Sequence, residues 1–292
     1  MVLINLLRVA VSVFASSVAT LPMPPASTAI LTQTTAEPAY RTQTDIAYWE
    51  HAAPDEYAAE RCRLDVYLPN NVKDFATIVY FHAGGLLDGE RSIPNGLRRR
   101  GIGVAAVDYR LSPRATAPAY IEDAAAAVAW TRENIEGLGG NSDRIILAGH
   151  SAGGYLVAML GLDKRWLAAH NIDADSLLGV VSLSGQMITH FTVRQERGVP
   201  GTTPVVDDLA PLHHVRGDAP PMLLITGDRD DEMLGRYEEN AYMRRMMKEA
   251  GHEKTELLEL EGYDHGSMPQ GSWPVVRRFA KQWIEAQQEE TK

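Results

Sequence analysis

Apolar, β-branched runs alternate along this chain with helical segments, which predicts an α/β fold with a mostly parallel sheet and helices on both faces. Two further observations support that class. Residues 76–81 and 103–109 are nearly unbroken apolar runs, as expected of strands covered on both sides. Residues 145–154 read as a strand running into Gly149-His150-Ser151-Ala152-Gly153, followed directly by a helical stretch.

The elements follow in chain order. Residues 64–68 alternate in and out and predict an antiparallel edge strand. Residues 119–135 predict an alanine-rich helix with Ile121, Ala125, Val128 and Ala129 on one face. Residues 139–143 (Gly-Gly-Asn-Ser-Asp) read as the turn into the next strand, and residues 179–184 and 222–226 as two further buried strands. A helix is expected from near Leu234 to Glu249, a strand over 255–260, and a last helix from about Pro274 to Ala286. In such a sheet, ligands bind beyond the carboxyl ends of the strands.

With 292 residues and 45% hydrophobic content, the chain can bury one large core, and residues 41–292 are read as a single domain. The net charge of −10 argues against nucleic acid or an anionic membrane as partner. The single cysteine, Cys62, excludes an intrachain disulfide and reads as a passive, part-buried residue. Residues 1–40 differ in composition. An apolar stretch broken by Asn5 and Arg8 leads to an Ala-x-Ala-like site near Ala19, then to a Pro/Ser/Thr-rich leader. This resembles a secretory signal peptide and predicts an exported protein. The stretch is short for a membrane span, and a misassigned start is the other alternative.

The turn at Ser151 has the form of a nucleophile elbow: glycines at 149 and 153 remove the Cβ atoms that a sharp strand–turn–helix would bring into collision. A serine hydroxyl needs a base to take its proton and an acid to orient that base, in the chain order serine, acid, histidine. After the strand over 222–226, Asp228, Asp230, Asp231 and Glu232 compete for the acid role. A Gly-x-x-Asp spacing from Gly227 selects Asp230, with Glu232 second. Asp228 reads as the turn former, and Asp231 and Glu232 as the solvated start of the next helix.

Of nine histidines, only His265, in Gly262-Tyr263-Asp264-His265-Gly266, follows the late strand and can serve as the base. The adjacent His213 and His214 lack the spacing of metal ligands, His252 reads as structural, and His150 is expected to pack against the sheet. Residues 82–86 (His-Ala-Gly-Gly-Leu) follow the strand over 76–81. The N–H groups of Gly84, Gly85 and Ala152 form the expected oxyanion hole, with His82 bracing the loop.

His82-Ala83-Gly84-Gly85 resembles the His-Gly-Gly-Gly motif of the α/β-hydrolase fold, in its hormone-sensitive-lipase-like and carbohydrate (acetyl-xylan or feruloyl) esterase-like branches. Asp108-Tyr109-Arg110-Leu111-Ser112-Pro113 is similar to that group's Asp-Tyr-Arg-Leu-Ala-Pro segment. Gly149-His150-Ser151-Ala152-Gly153-Gly154 and Glu122-Asp123-Ala124 fit as well. Ala83 departs from the motif, but the two donor glycines are kept. The resemblance, over about residues 45–285, implies carboxylic ester hydrolysis with no metal and no organic cofactor.

The segment between Gly185 and Pro220, where this fold builds its lid, is short and mixed in polarity. That disfavours long-chain lipid and stable membrane insertion, and points to a small-molecule or carbohydrate ester of a short acyl group. An acetyl or feruloyl ester of plant polysaccharide is one such substrate. An amidase, formamidase or peptidase of the same fold is the alternative, and a non-catalytic binding protein a further one.

Overall fold

The computed structural model describes residues 39–49 and 53–290. The expected signal peptide and most of the leader lie outside the described residues. Eight strands form one sheet: β1 (Tyr40–Ala47), β2 (Arg63–Pro69), β3 (Phe75–Phe81), β4 (Gly103–Val107), β5 (Gly140–His150), β6 (Gly179–Leu183), β7 (Met222–Gly227) and β8 (Thr255–Leu260). Their order is β1-β2-β4-β3-β5-β6-β7-β8. β2 runs antiparallel to both neighbours, and all pairings from β4 to β8 are parallel.

Two expectations change at the first edge. β1 lies outside β2, so residues 64–68 form an inner strand. β1 escapes a hydrophobicity pattern because Tyr-Arg-Thr-Gln-Thr-Asp-Ile-Ala carries little apolar sequence, as suits an exposed edge. β5 also starts earlier than expected. Gly140 already pairs with Phe75, so residues 140–143 are strand instead of turn.

The helices are α1 (Glu56–Arg61), α2 (Ala119–Asn134), α3 (Ala152–Leu162), α4 (Lys164–Ala168), α5 (Phe191–Glu196), α6 (Arg236–Glu249) and α7 (Met268–Glu290). Strand pleating divides the core in two. Val79 and Phe81 face one layer, which includes residues of α2, α3 and α6, while Ile78 and Tyr80 face the other, where Met268, Trp273, Val276 and Ala280 of α7 pack. α3 is buried over its whole length and apolar all round, as a helix enclosed by protein must be. α7 begins one and a half turns before Pro274, so that proline lies inside the helix and does not open it.

The chain runs from β3 to β4 on one side, then crosses to β5 on the other side of β3. Neighbouring loops leave the sheet in opposite directions at this reversal and open a crevice at the carboxyl ends of β3 and β5. Phe81 pairs with Gly149 there, so the loop of residues 82–86 and the elbow at Ser151 emerge side by side.

Candidate active site

Ser151 stands at φ 55° and ψ −112°, a conformation that side-chain-bearing residues rarely adopt. Such strain costs of order 1–3 kcal/mol and persists only where the surroundings fix it. They do so here. A Cβ on Gly149 would lie 2.3 Å from the Gly153 carbonyl, and one on Gly153 would lie 2.1 Å from the Phe81 carbonyl oxygen. The Ser151 N–H donates to the Leu183 carbonyl at 2.8 Å, which anchors the turn to β6.

His265, in the loop after β8, brings its Nε2 within 2.9 Å of Ser151 Oγ. On the other side of the ring, Nδ1–H donates to Glu232 Oε1 at 2.6 Å. The acid expected at Asp230 is therefore displaced by two residues. Asp230 is exposed, with its N–H donating to Asp228 Oδ1, and it makes no contact with His265. The turn explains the difference. The N–H groups of both Asp231 and Glu232 return to the Asp228 carbonyl, and this coil carries Glu232 back over the end of β7 while Asp230 and Asp231 point outward.

Glu232 is enclosed, its side chain 1% exposed. Its Oε2 accepts from Gly227 N–H at 3.0 Å and Ser184 Oγ–H at 2.7 Å, and its Oε1 from Met233 N–H at 2.8 Å as well as from His265. Burial pushes its pKa up. The His265 hydrogen bond, the Met233 amide and the Ser184 hydroxyl outweigh that effect and hold it at about 2. Glu232 is thus a fixed anion at neutral pH, aimed at the imidazole.

Two further side chains support His265: Ser184, which carries no signal in the sequence, and His150, which packs against the base and not, as expected, against the sheet. Ser184, at the end of β6, places Oγ 3.0 Å from His265 Nδ1 while donating to Glu232, so it braces both. His150 lies against His265, with ring centroids 4.9 Å apart, and its Nε2–H donates to the His265 carbonyl at 3.0 Å. Burial first, then the proximity of His265, lowers the His150 pKa to about 4, which keeps it neutral and fit to hold the base by one hydrogen bond.

The Gly84-Gly85 loop sits against the same crevice. Gly84 (φ 115°) and Gly85 (φ 64°) occupy backbone conformations suited to glycine, and a Cβ at Gly84 would lie 1.9 Å from the Asp88 carbonyl oxygen. Their N–H groups have no protein acceptor among the described residues. Ala152, the first residue of α3, contributes one of the amides that every helix leaves without an internal partner.

The Asp-Tyr-Arg motif underpins this loop. Tyr109 stacks on His82 at 4.4 Å and its hydroxyl donates to the His82 carbonyl at 2.8 Å. Asp108 accepts from Arg91 N–H at 2.6 Å and Nη1 at 2.5 Å. Arg110 clamps the buried Asp123 of α2 through Nε and Nη2, both at 2.8 Å. From above, Thr192 of α5 donates its hydroxyl to the Gly85 carbonyl.

Among the described residues, no group of three or more His, Cys, Asp or Glu is placed to hold a metal. His214 instead sits at 2.9 Å from the Asp208 carbonyl. Nor, among the described residues, is any helix long and apolar enough to cross a membrane. Cys62 is buried, and that burial raises its pKa. A cavity of about 690 Å³ lies at the amino ends of β6 to β8, away from Ser151. One of about 510 Å³, lined in part by Phe191 and Met233, adjoins the site.

Comparison with known proteins agrees with this architecture. A family model described as BD-FAE matches residues 64–179, a stretch that holds the glycine loop and Ser151 but ends before Glu232 and His265. The esterase LipC of Mycobacterium tuberculosis is 28% identical over 228 residues, covering 70% of this chain, and the chain spans 56% of LipC's length. A truncated carbohydrate esterase from gut microbiota superposes with a TM-score of 0.70 at 20% identity, covering 85% of this chain and 97% of that one. Esterase 2 of Thermogutta terrifontis, phosphonylated by cyclosarin, gives 0.63 at 25% identity, covering 76% of this chain and 89% of that one.

Proposed function

This chain has the α/β-hydrolase fold, and from that premise we propose that it is a serine carboxylesterase for esters of short acyl groups. The observation that carries the reading is the continuous relay from Ser151 Oγ through His265 to Glu232, at 2.9 and 2.6 Å. His265 Nε2 takes the proton of Ser151 as Oγ attacks the ester carbonyl, and Glu232 stabilises the imidazolium that forms. The oxyanion of the tetrahedral intermediate takes hydrogen bonds from the amides of Gly84, Gly85 and Ala152. Collapse passes the proton from His265 to the departing alkoxide and leaves an acyl group on Ser151. Water, deprotonated by the same imidazole, then releases the acid.

The similarity to LipC and the match to the BD-FAE model support ester hydrolysis. The covering segment supports a short acyl group: beyond the six residues of α5 it offers no broad apolar face, and it is tied down at Thr192 and Tyr155. Plant polysaccharide carrying acetyl or feruloyl groups is the natural substrate within this proposal, and an exported location, drawn from residues 1–40, belongs to it.

A panel of p-nitrophenyl esters from acetyl to dodecanoyl, with acetylated xylan and methyl ferulate alongside, tests the reading. Turnover should peak at four carbons or fewer and vanish in Ser151→Ala. A maximum at eight carbons or more would refute the short-acyl assignment, and no hydrolysis of any ester would refute the enzyme reading.

A further inference from the structure

The cavity of about 510 Å³ beside the triad contains two arginines that the reaction does not use. Arg194 of α5 is 3% exposed and Arg236, the first residue of α6, is 1% exposed. Nε of Arg194 and both Nε and Nη1 of Arg236 are buried without an acceptor. Neither guanidinium forms an ion pair within 4.0 Å among the described residues, and the hydrogen bond that Arg194 Nη1 makes goes to the neutral carbonyl of Thr203. An unpaired buried cation is costly, by several kcal/mol. The cost is compounded at Arg236, because α6 starts there with no side-chain cap and the positive end of a helix disfavours a cation.

The local counter-charge, from Glu239 and at Arg236 also from Glu232, offsets this only in part. Glu239 lines the same cavity, but its Oε2 is bound by the Met187 and Ile188 amides at 2.8 and 3.4 Å, and Oε1 lies 3.5 Å from Gln186 Nε2. Burial also raises the Glu239 pKa and lowers those of both arginines. Two cations, an uncapped helix start and a committed carboxylate thus share one cavity.

The cavity borders residues that touch the catalytic groups at both ends. Phe191 lies where a Cβ on Gly85 would meet its ring at 2.9 Å, so it separates the cavity from the glycine loop. Met233, whose N–H holds Glu232, forms the rim with Leu234; they are 45% and 86% exposed, so the cavity opens to solvent.

We propose that this cavity is a carboxylate-binding subsite, in which Arg194 and Arg236 receive a carboxylate carried by the ester substrate near its scissile bond. The nitrogens without an acceptor are closed to solvent in this conformation, so a carboxylate meets them as the side chains turn into the cavity, where it supplies the acceptors they lack in the planar geometry that arginine favours. The inference deepens the esterase reading and relies on it only for the identity of the ligand as substrate. The subsite itself follows from the arginines.

Calorimetric titration of the whole protein with glutarate, and with neutral glutaramide as control, tests it without requiring turnover. Glutarate should bind saturably at millimolar concentration or below, and glutaramide should not. Arg194→Met and Arg236→Met should each weaken glutarate binding by about 10- to 100-fold, the effect of losing one charge-assisted hydrogen bond. Glu239→Gln should move the other way and tighten binding several-fold, so the test survives if an arginine variant fails to fold. Equal binding of the two probes, no glutarate binding, or tightening absent in Glu239→Gln would overturn the proposal. Glutarate binding without hydrolysis of any ester would count against the esterase reading alone. Ester hydrolysis without glutarate binding would count against the subsite alone.

Discussion

Replacing Glu232 by Gln keeps the size of the side chain and removes its charge, so it isolates what the acid contributes. The wild-type carboxylate receives four hydrogen bonds, from His265, Gly227, Met233 and Ser184. These hold its pKa at about 2, against an ordinary value of 4.5. At about 1.36 kcal/mol per pKa unit, the folded site prefers the ionised form by roughly 3 kcal/mol. The depressed pKa sets the sign of the pH dependence. This stabilisation is fully present above pH 4.5 and is lost as pH falls towards 2. Glu232→Gln should therefore flatten the acid limb of a urea-denaturation stability profile between those values. It should also lower kcat by about 10³- to 10⁴-fold, the scale seen when an orienting acid is made neutral in other Ser-His-Asp enzymes. Asp230→Asn, at the exposed position, should change kcat by no more than about twofold. Steady-state kinetics on p-nitrophenyl acetate compare the variants directly. A loss in Asp230→Asn equal to that in Glu232→Gln would refute the assignment of the acid.

Two more outcomes follow from neighbouring contacts. Ser184→Ala removes one donor from a buried carboxylate, a loss of about 1.5–3 kcal/mol for a charged acceptor, and should lower kcat/KM by tenfold or more without abolishing it; an unchanged kcat/KM would exclude a positioning role. Asp123→Asn removes the charge and one of the two acceptor oxygens that Arg110 clamps in a fully buried setting. It should destabilise the fold by about 3–5 kcal/mol in denaturant unfolding, and a change below 1 kcal/mol would show the clamp to be dispensable.

Much of this site could be read from the sequence because turn chemistry marks it. Ser151 is bracketed by glycines that close backbone contact requires, and the oxyanion glycines end an unmistakable strand. His265 is the one histidine at the end of a late strand. The acid was harder to place. Four carboxylates crowd residues 228–232, and which one turns inward depends on hydrogen bonds to the Asp228 carbonyl that leave no compositional trace. Ser184 reads only as the end of a buried strand; its φ of 49° and its reach to Glu232 emerge from the fold. β1 stayed hidden because its polar residues carry no core pattern. The buried arginines look, in sequence, like ordinary surface charge on helices, because burial at those positions is set by distant chain segments.

The central claim is that Ser151 is a nucleophile activated by His265. Treating the protein with a fluorophosphonate probe and locating the adduct by peptide mass spectrometry tests it most directly. The account predicts one stoichiometric adduct on Ser151, absent in Ser151→Ala and formed at least 100-fold more slowly in His265→Ala. An unlabelled Ser151, or labelling whose rate does not depend on His265, would contradict it.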